Sequence, residues 1–375
     1  MFLFRKNKKK EKLSDKLYTN PVGETHQQTD AQPFFRNISN TISLQDMRRF
    51  WKKNLNYYQE SFKNASTDEY LTYGKTLMLW GFKNATPLKT KFPVYMEREC
   101  HISNPAKMQC NLLFDSYIEP ASLYEILFSY KLADLKIIAD SVGCAKNGNK
   151  ADLIQRIRES IDKDTEYSIV SNSNLYSLSD KGTSFLAANY DYVELHRHQS
   201  YDISLYEFNK NRVLDGHRKR TFNDNIYTLV SERIYRKSVH RNYYMLDYDY
   251  HILYEITLSE HFYDIAITHY LRYLYLKSCC IRTAQYYATN YPHSDFNENN
   301  EVIFTVQSAS PIVDISKFYK VSYIKDMYID KTLPPSFLTE YEFVNMIDEM
   351  INSTLFDYAK YNNLIISRLK KYSKL

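Results

Sequence analysis

Glycine is scarce in this sequence, with 7 among 375 residues. Nucleotide-binding loops need closely spaced glycines that let the backbone approach phosphate groups. The stretch 143–150 has the length of a phosphate loop, but Asn149 stands at its lysine position and Lys150 at its Ser/Thr position. A helix is also predicted before it, where such a loop follows a strand. The sequence therefore contains neither a phosphate loop nor the glycine-rich motif of dinucleotide-binding proteins.

Long apolar runs are missing as well, and no stretch approaches the roughly 18 apolar residues of a membrane-spanning helix. The first residues are apolar and basic residues follow them, which reverses the charge order of a secretory signal peptide. The 5 cysteines are an odd number without a regular framework, and this usage is typical of a reducing compartment. The sequence predicts a cytoplasmic protein without membrane contact.

The overall charge is modest, at +5 for the whole chain. Such a charge permits contact with nucleic acid but does not demand it, so the position of the charges matters more than their sum. The chain is long enough for two or three domains and a sizeable core. The 36 tyrosines accompany many Asn, Ile and Lys residues. This composition suggests an A·T-rich genome, so the tyrosines alone do not indicate base stacking.

Residues 123–160 carry the clearest pattern, in which an amphipathic helix, a tight polar loop and a second amphipathic helix follow one another. Apolar residues at helical spacing predict the buried face of the first helix. These residues are Leu132, Leu135, Ile138, Ala139 and Val142. Gly143 is predicted to end this helix, because a residue in the left-handed conformation is a common helix stop.

The second helix is predicted to begin after Asn149, which is a plausible cap with Asp152 three residues later. Its buried stripe is predicted to consist of Leu153, Ile154 and Ile157, with Lys150, Arg156 and Arg158 facing water. Between the helices, Gly148 stands where the backbone must turn sharply, with lysines on either side.

This layout resembles the SAP domain, a small helix–extended loop–helix module that binds DNA. The resemblance is carried by 132–136, Gly143 and 148–157. Two positions depart from the family pattern, because Lys131 replaces a capping Ser or Thr and Cys144 replaces a Leu. The whole chain looks similar to uncharacterised SAP-containing proteins of low-G+C Gram-positive bacteria and their phages.

Residues 131–158 contain six basic and three acidic side chains, a net charge of +3. Lysines beside the N-terminus of a helix combine their charge with free backbone N–H groups, which suits a phosphate. The resemblance implies double-stranded DNA as the partner, contacted mainly through phosphates and favouring A·T-rich sites by groove shape. The candidate DNA-binding residues are Lys131, Lys136, Lys146, Asn147, Gly148, Lys150, Arg156 and Arg158.

The fold class predicted for the chain is mostly α, with the SAP-like hairpin joined to a larger helical C-terminal domain that has a few short strands. The predicted organisation is a flexible basic tail at 1–40, a helical region at 41–117, the SAP-like module at 118–165 and a helical domain at 166–375. Helices are predicted at 44–79, 258–288 and 336–369, a short helical turn at 112–114 and a strand at 301–306. The predicted core residues include Leu55 and Phe62 in the first of these helical stretches and Phe262 in the second. Ser179 is predicted to cap a further helix. Basic residues around Trp51 are interpreted as the solvated edge of a helix with one buried side.

The densest positive charge lies in 210–241, with nine basic and three acidic residues. A helix in this stretch is predicted to bury Ile226, Leu229, Val230, Ile234 and Val239. The same helix is predicted to show Arg233, Arg236 and Lys237 to solvent. Its basic residues either extend the phosphate-binding surface or pair with the acidic stretch 247–260, and the sequence does not separate these alternatives. The candidates for this secondary surface are Arg218, Lys219, Arg220, Arg233, Arg236 and Lys237.

Some residues have the types found in metal-dependent nucleases, although their spacing does not fit such a site. The acidic residues, histidines and lysine concerned are Asp191, Glu194, His196, His198, Asp202, Glu207 and Lys210. His261 and His269 are too far apart for a zinc pair and are interpreted as ordinary core or surface histidines.

The leading hypothesis is a DNA-binding protein that is not an enzyme and uses neither cofactor nor metal. In this hypothesis the C-terminal helices bind a protein partner or a second copy of the chain. One alternative is a protein-interaction or structural component of a phage or mobile element. Another alternative is a metal-dependent nuclease.

Overall fold

The structure is a computed structural model that describes residues 43–54, 63–213, 219–289, 304, 316–352 and 356–374. The chain divides after Asn40 into two units, and every described residue belongs to the second unit. The predicted tail at 1–40 lies outside the described residues. The predicted strand at 301–306 does so too, apart from Phe304, which is buried and is not in a strand.

The described chain is mostly α-helical, as predicted, and carries one small sheet. Its α-helices in chain order are α1 Leu44–Lys53, α2 Thr67–Trp80, α3 Tyr95–Arg98, α4 Pro105–Phe114, α5 Leu123–Ser129, α6 Leu132–Ser141, α7 Lys150–Ser160, α8 Lys163–Asn172, α9 Asp180–Ala188, α10 Asp191–Arg197, α11 Leu205–Arg212, α12 Phe222–Val239, α13 Leu246–Ser259, α14 Tyr263–Ser278, α15 Ile281–Thr289, α16 Val321–Ile329, α17 Glu340–Asn352 and α18 Tyr358–Ser373. Short 3-10 turns lie at Gln199–Tyr201 and Ser316–Phe318. Among the described residues, no helix is both long and apolar enough to cross a bilayer.

The sheet has three short antiparallel strands, β1 Thr86–Pro87, β2 Ile118–Pro120 and β3 Leu175–Leu178, in the order β1-β3-β2. Ile118 lies opposite Leu178, and Pro120 lies opposite Tyr176. Because β2 and β3 are neighbours, helices α5–α8 form an insertion whose two ends are held side by side. The predicted cap after β3 is confirmed, since the Ser179 hydroxyl accepts a hydrogen bond from the Gly182 N–H at 3.1 Å.

The main hydrophobic cluster runs from α1 to α18. Helix α1 packs against α15 and α18, and Trp51 is fully buried with its ring edge-on to Tyr243 at 5.7 Å. The opposite edge of α1 is polar, with Arg49, Lys52 and Lys53 exposed. The prediction that the basic residues around Trp51 form a solvated edge is therefore confirmed for these three, whereas Arg48 is half-buried.

The prediction of one long helix at 258–288 is wrong. The segment contains the end of α13 and two separate helices, α14 and α15. His261 adopts a left-handed φ of 63°, and the Phe262 N–H bonds back to the Thr257 carbonyl at 2.8 Å. Phe262, predicted to be a core residue, is 54% exposed. The chain reverses at 260–262 although no glycine or proline marks the turn in the sequence.

The helical region predicted at 44–79 is also interrupted. Residues 63–66 are not helical, and α2 begins with a capping box in which Ser66 and Glu69 bond to each other's backbone N–H groups. Two of the predicted core residues in this region, Leu55 and Phe62, lie outside the described residues. The predicted turn at 112–114 is the end of α4, a ten-residue helix that Asn104 caps.

Candidate nucleic-acid interface

Helices α5–α8 enclose a hydrophobic cluster of their own, separate from the main core. The buried side chains of this cluster are Leu123, Leu127, Leu135, Ala139, Leu153, Ile154 and Ile157. The predicted stripe of the second helix is thus confirmed, as are Leu135 and Ala139 in the first. Leu132 was predicted to be buried but is 40% exposed, because it is the first residue of α6 and does not belong to the cluster.

The local signals around the loop between α6 and α7 are confirmed. Gly143 has a φ of +71° directly after the last residues of α6, and Gly148 has a φ of +101°. The Asn149 side chain accepts a hydrogen bond from the Asp152 N–H at 3.0 Å and so caps α7. Lys131, which replaces a capping Ser or Thr, gives α6 no side-chain cap. The loop conformation is therefore fixed by two glycines and one asparagine cap.

Two of the predicted DNA-binding cations hold the module together. The Lys150 ammonium donates a hydrogen bond to the Phe128 carbonyl at 2.6 Å, which fixes the start of α7 against the end of α5. The Arg156 guanidinium donates to the Asn147 carbonyl and to its Oδ1 at 3.3 Å, which closes the loop onto α7. Both side chains were predicted to face water, but both are half-buried and occupied with these carbonyl groups.

The remaining cations of this set lie on the surface. Lys131, Lys136, Lys146 and Arg158 are exposed, as are Asn147 and Gly148 in the loop. The Lys146 ammonium lies 2.6 Å from an Asp140 carboxylate oxygen, and both groups are largely exposed. An exposed pair of this kind contributes little to stability, so Lys146 can exchange Asp140 for a phosphate at small cost.

An acidic edge limits the basic surface on one side. Helix α8 begins with Asp162, Asp164 and Glu166, all of them exposed. The pKa of Asp162 is lowered because its carboxylate accepts hydrogen bonds from the Thr165 backbone and hydroxyl. The positive potential of the module is therefore expected on the α6 and loop side, away from the start of α8.

Two residues of the secondary basic surface pair with the acidic stretch 247–260 and are not available as a phosphate-binding surface. Arg233 and Lys237 both bind the buried carboxylate of Asp249, at 2.7 and 2.6 Å. The prediction that these two side chains face solvent on α12 is wrong, because α13 packs against that side and brings Asp249 to them. Val239, predicted to be buried, is 58% exposed. For Arg233 and Lys237, the pairing with the acidic stretch is what the structure shows.

The other members of that surface are mostly engaged as well. Lys219 donates to the Ala188 carbonyl, and partial burial together with the charge of Arg212 lowers its pKa. Arg220 donates to the Thr228 hydroxyl at 2.5 Å. Arg236 lies 3.9 Å from Glu232. Arg218 lies outside the described residues.

The residues weighed as a nuclease site are spread among structural contacts. His196 Nδ1 lies 3.0 Å from a Glu99 carboxylate oxygen, and Asp191 binds the buried Arg212 at 2.5 Å. Glu207 caps α11 by accepting a hydrogen bond from the Ser204 N–H at 3.1 Å. In the part of the chain that the structure describes, no three His, Cys, Asp or Glu side chains are grouped to hold a metal ion.

Two exposed aromatic residues on α5, Tyr124 and Phe128, were not among the site residues predicted from the sequence. Lys150 lies over the Phe128 ring and Arg158 over the Tyr124 ring. The four-residue spacing of the two aromatics on one helix was available as a signal. Their exposure was not, because it depends on which side of α5 packs against α7.

Comparison with known proteins adds no relative to this description. No protein-family model, no curated protein and no solved structure matches the chain. The resemblance to the SAP domain therefore rests on the residues of α6, the loop and α7 alone, and it stays a prediction.

Proposed function

We propose that this protein binds double-stranded DNA and that the loop between α6 and α7 contacts the phosphate backbone. The observation that supports this most directly is the self-contained helix–loop–helix insertion, whose own core presents a lysine-bearing loop at the surface. Lysine side chains beside the first turn of α7 provide both positive charge and backbone donors for phosphate oxygens.

The cations that are held by backbone carbonyls indicate which other residues contact the DNA duplex. Since Lys150 and Arg156 hold backbone carbonyls, we assign the duplex contacts to the exposed cations, Lys136 and Lys146 among them. Phosphate contacts carry no sequence information, so we expect binding that depends weakly on base sequence. An A·T-rich preference, if present, arises from groove shape.

The test is a titration of the full chain against a fluorescein-labelled duplex at low salt, followed by anisotropy. We expect Lys136→Glu/Lys146→Glu to weaken binding by about tenfold or more, because two phosphate contacts become repulsive. Lys163→Glu is the matched control, since this exposed lysine lies in the same module at the acidic start of α8. Equal affinity of the double variant and the control, or no affinity of the wild-type chain for the duplex, would overturn the proposal.

A further inference from the structure

The outer side of α5 carries two aromatic rings one helical turn apart. Tyr124 is 44% exposed and Phe128 is 50% exposed, while Leu123 and Leu127 on the other side of α5 enter the cluster of the module. The two ring centroids are 6.1 Å apart, and the ring planes differ by 29°. The two rings therefore stack on each other at the surface.

Each ring is accompanied by a cation from α7. The Lys150 ammonium lies 4.9 Å from the Phe128 centroid, and the Arg158 guanidinium lies 5.4 Å from the Tyr124 centroid. Lys150 and Arg158 are eight residues apart, about 12 Å along a helix. Helices α5 and α7 thus run in opposite directions, and the surface between them shows cations at both ends with the two rings between.

This arrangement has the chemistry of a surface for unpaired nucleotides. Bases stack on aromatic rings and phosphates bind cations, and proteins that bind single strands combine both contacts. Base stacking on a ring is worth more than an exposed cation–π contact, so Arg158 can leave the Tyr124 ring for a phosphate when bases arrive. Lys150 keeps its hydrogen bond to the Phe128 carbonyl and has further N–H donors to offer to a phosphate.

The geometry favours unpaired over paired bases. In a duplex the bases are stacked at a rise of roughly 3.4 Å, and their faces are covered by their neighbours. The two rings on α5 are 6.1 Å apart, which suits adjacent bases that have separated from each other. A base pair within a helix has no free face to offer to either ring.

We propose that Tyr124, Phe128, Lys150 and Arg158 form a binding surface for single-stranded DNA. Two neighbouring unpaired bases stack on the two rings, and the phosphates beside them bind Lys150 and Arg158. This surface is separate from Lys136 and Lys146, which we assign to the duplex backbone. The inference goes beyond the proposed function, and the two have different readouts.

The experiment compares the full chain and its variants on two fluorescein-labelled probes, a single-stranded thymidine homopolymer and a blunt duplex. Tyr124→Ala/Phe128→Ala is expected to weaken single-strand binding by about tenfold or more and to leave duplex binding unchanged. Tyr167→Ala is the matched control, because Tyr167 is a 75% exposed aromatic on α8 of the same module. This control is expected to bind both probes as the wild type does.

Two further variants separate stacking from simple apolar contact and from misfolding. Tyr124→Trp/Phe128→Trp is expected to keep single-strand affinity, whereas Tyr124→Leu/Phe128→Leu keeps the apolar area and loses the affinity. Retained binding in the leucine variant, or no wild-type affinity for the homopolymer, would overturn the inference. Duplex binding that fails in every protein would overturn the proposed function instead.

Discussion

At the scale of single residues, burial decides which charges are available to a partner. Asp249 is nearly inaccessible and binds both Arg233 and Lys237. Charge pattern alone left this pairing and a free basic surface as equal alternatives. The sequence did not separate them because the choice depends on which helix packs against α12, and that contact is tertiary.

The same pairing gives a stability prediction. Asp249→Ala leaves two largely buried cations without their carboxylate, and we expect the free energy of unfolding to fall by about 3–5 kcal/mol. Glu349→Ala removes one partner of an exposed pair with Lys360 and is expected to cost less than about 1 kcal/mol. Urea unfolding followed by circular dichroism measures both changes, and equal losses in the two variants would contradict this account of Asp249.

His269 gives a pH prediction. It is buried in α14 with its Nε2 3.4 Å from the Tyr227 hydroxyl, and burial, with a further contribution from Arg272, lowers its pKa to about 3. Its ordinary pKa is 6.5. Between these values the unfolded chain binds a proton that the folded chain does not. The stabilising contribution of neutral His269 is therefore complete above about pH 6.5 and is lost at about 1.4 kcal/mol per pH unit as the pH falls.

We therefore expect His269→Gln to be less sensitive to acid than the wild type. As the pH falls from neutral to about 5, the free energy of unfolding of this variant should rise by about 2 kcal/mol relative to that of the wild type. His261→Gln is the matched comparison, because it removes an exposed histidine instead of the buried one. Denaturation midpoints across this range measure the effect, and parallel curves for His269→Gln and wild type would contradict it.

At the scale of elements, local signals predicted the helices of the module well. A stop at Gly143, a turn at Gly148, a cap at Asn149 and an apolar stripe all lie within a few residues of one another, so the sequence alone contained the information. The turn between α13 and α14 was missed because His261 adopts a left-handed conformation without a glycine or proline signal. Tertiary packing fixes that turn.

The loop glycines give a prediction at this scale. Gly148 has a φ of +101°, and a Cβ there would lie 3.3 Å from the Arg156 guanidinium. Gly148→Ala is expected to destabilise the module by about 1–3 kcal/mol through backbone strain. Gly143→Asn is the matched comparison, because at a φ of +71° asparagine is tolerated and no atom lies within 4 Å of its Cβ position.

Amide hydrogen exchange in α6 and α7 measures the stability of the module in these variants. Gly148→Ala should exchange faster in both helices, and Gly143→Asn should remain close to wild type. Unchanged protection in Gly148→Ala would show that the loop conformation does not need glycine at this position.

At the scale of the whole molecule, the helical class was predictable, whereas the long-range arrangement was not. Periodicity gave the class, but nothing local indicates that α1 packs on α15 and α18. The insertion of α5–α8 between two paired strands was equally hidden, since β2 is three residues long. The loop of the candidate site was predicted from the sequence. The anchoring of Lys150 and Arg156 was not, because it depends on the contact with α5 and on the closure of the loop.

We propose that exposed lysines of the inserted module bind duplex phosphates, and the salt dependence of duplex affinity tests this binding most directly. Each phosphate contact contributes about 0.9 to the slope of log affinity against log salt concentration. For the full chain, Lys136→Gln/Lys146→Gln should lower the magnitude of that slope by about 1.8, the value for two contacts, whereas Lys163→Gln should leave it unchanged. A slope for the double variant equal to that of the wild type would contradict the claim.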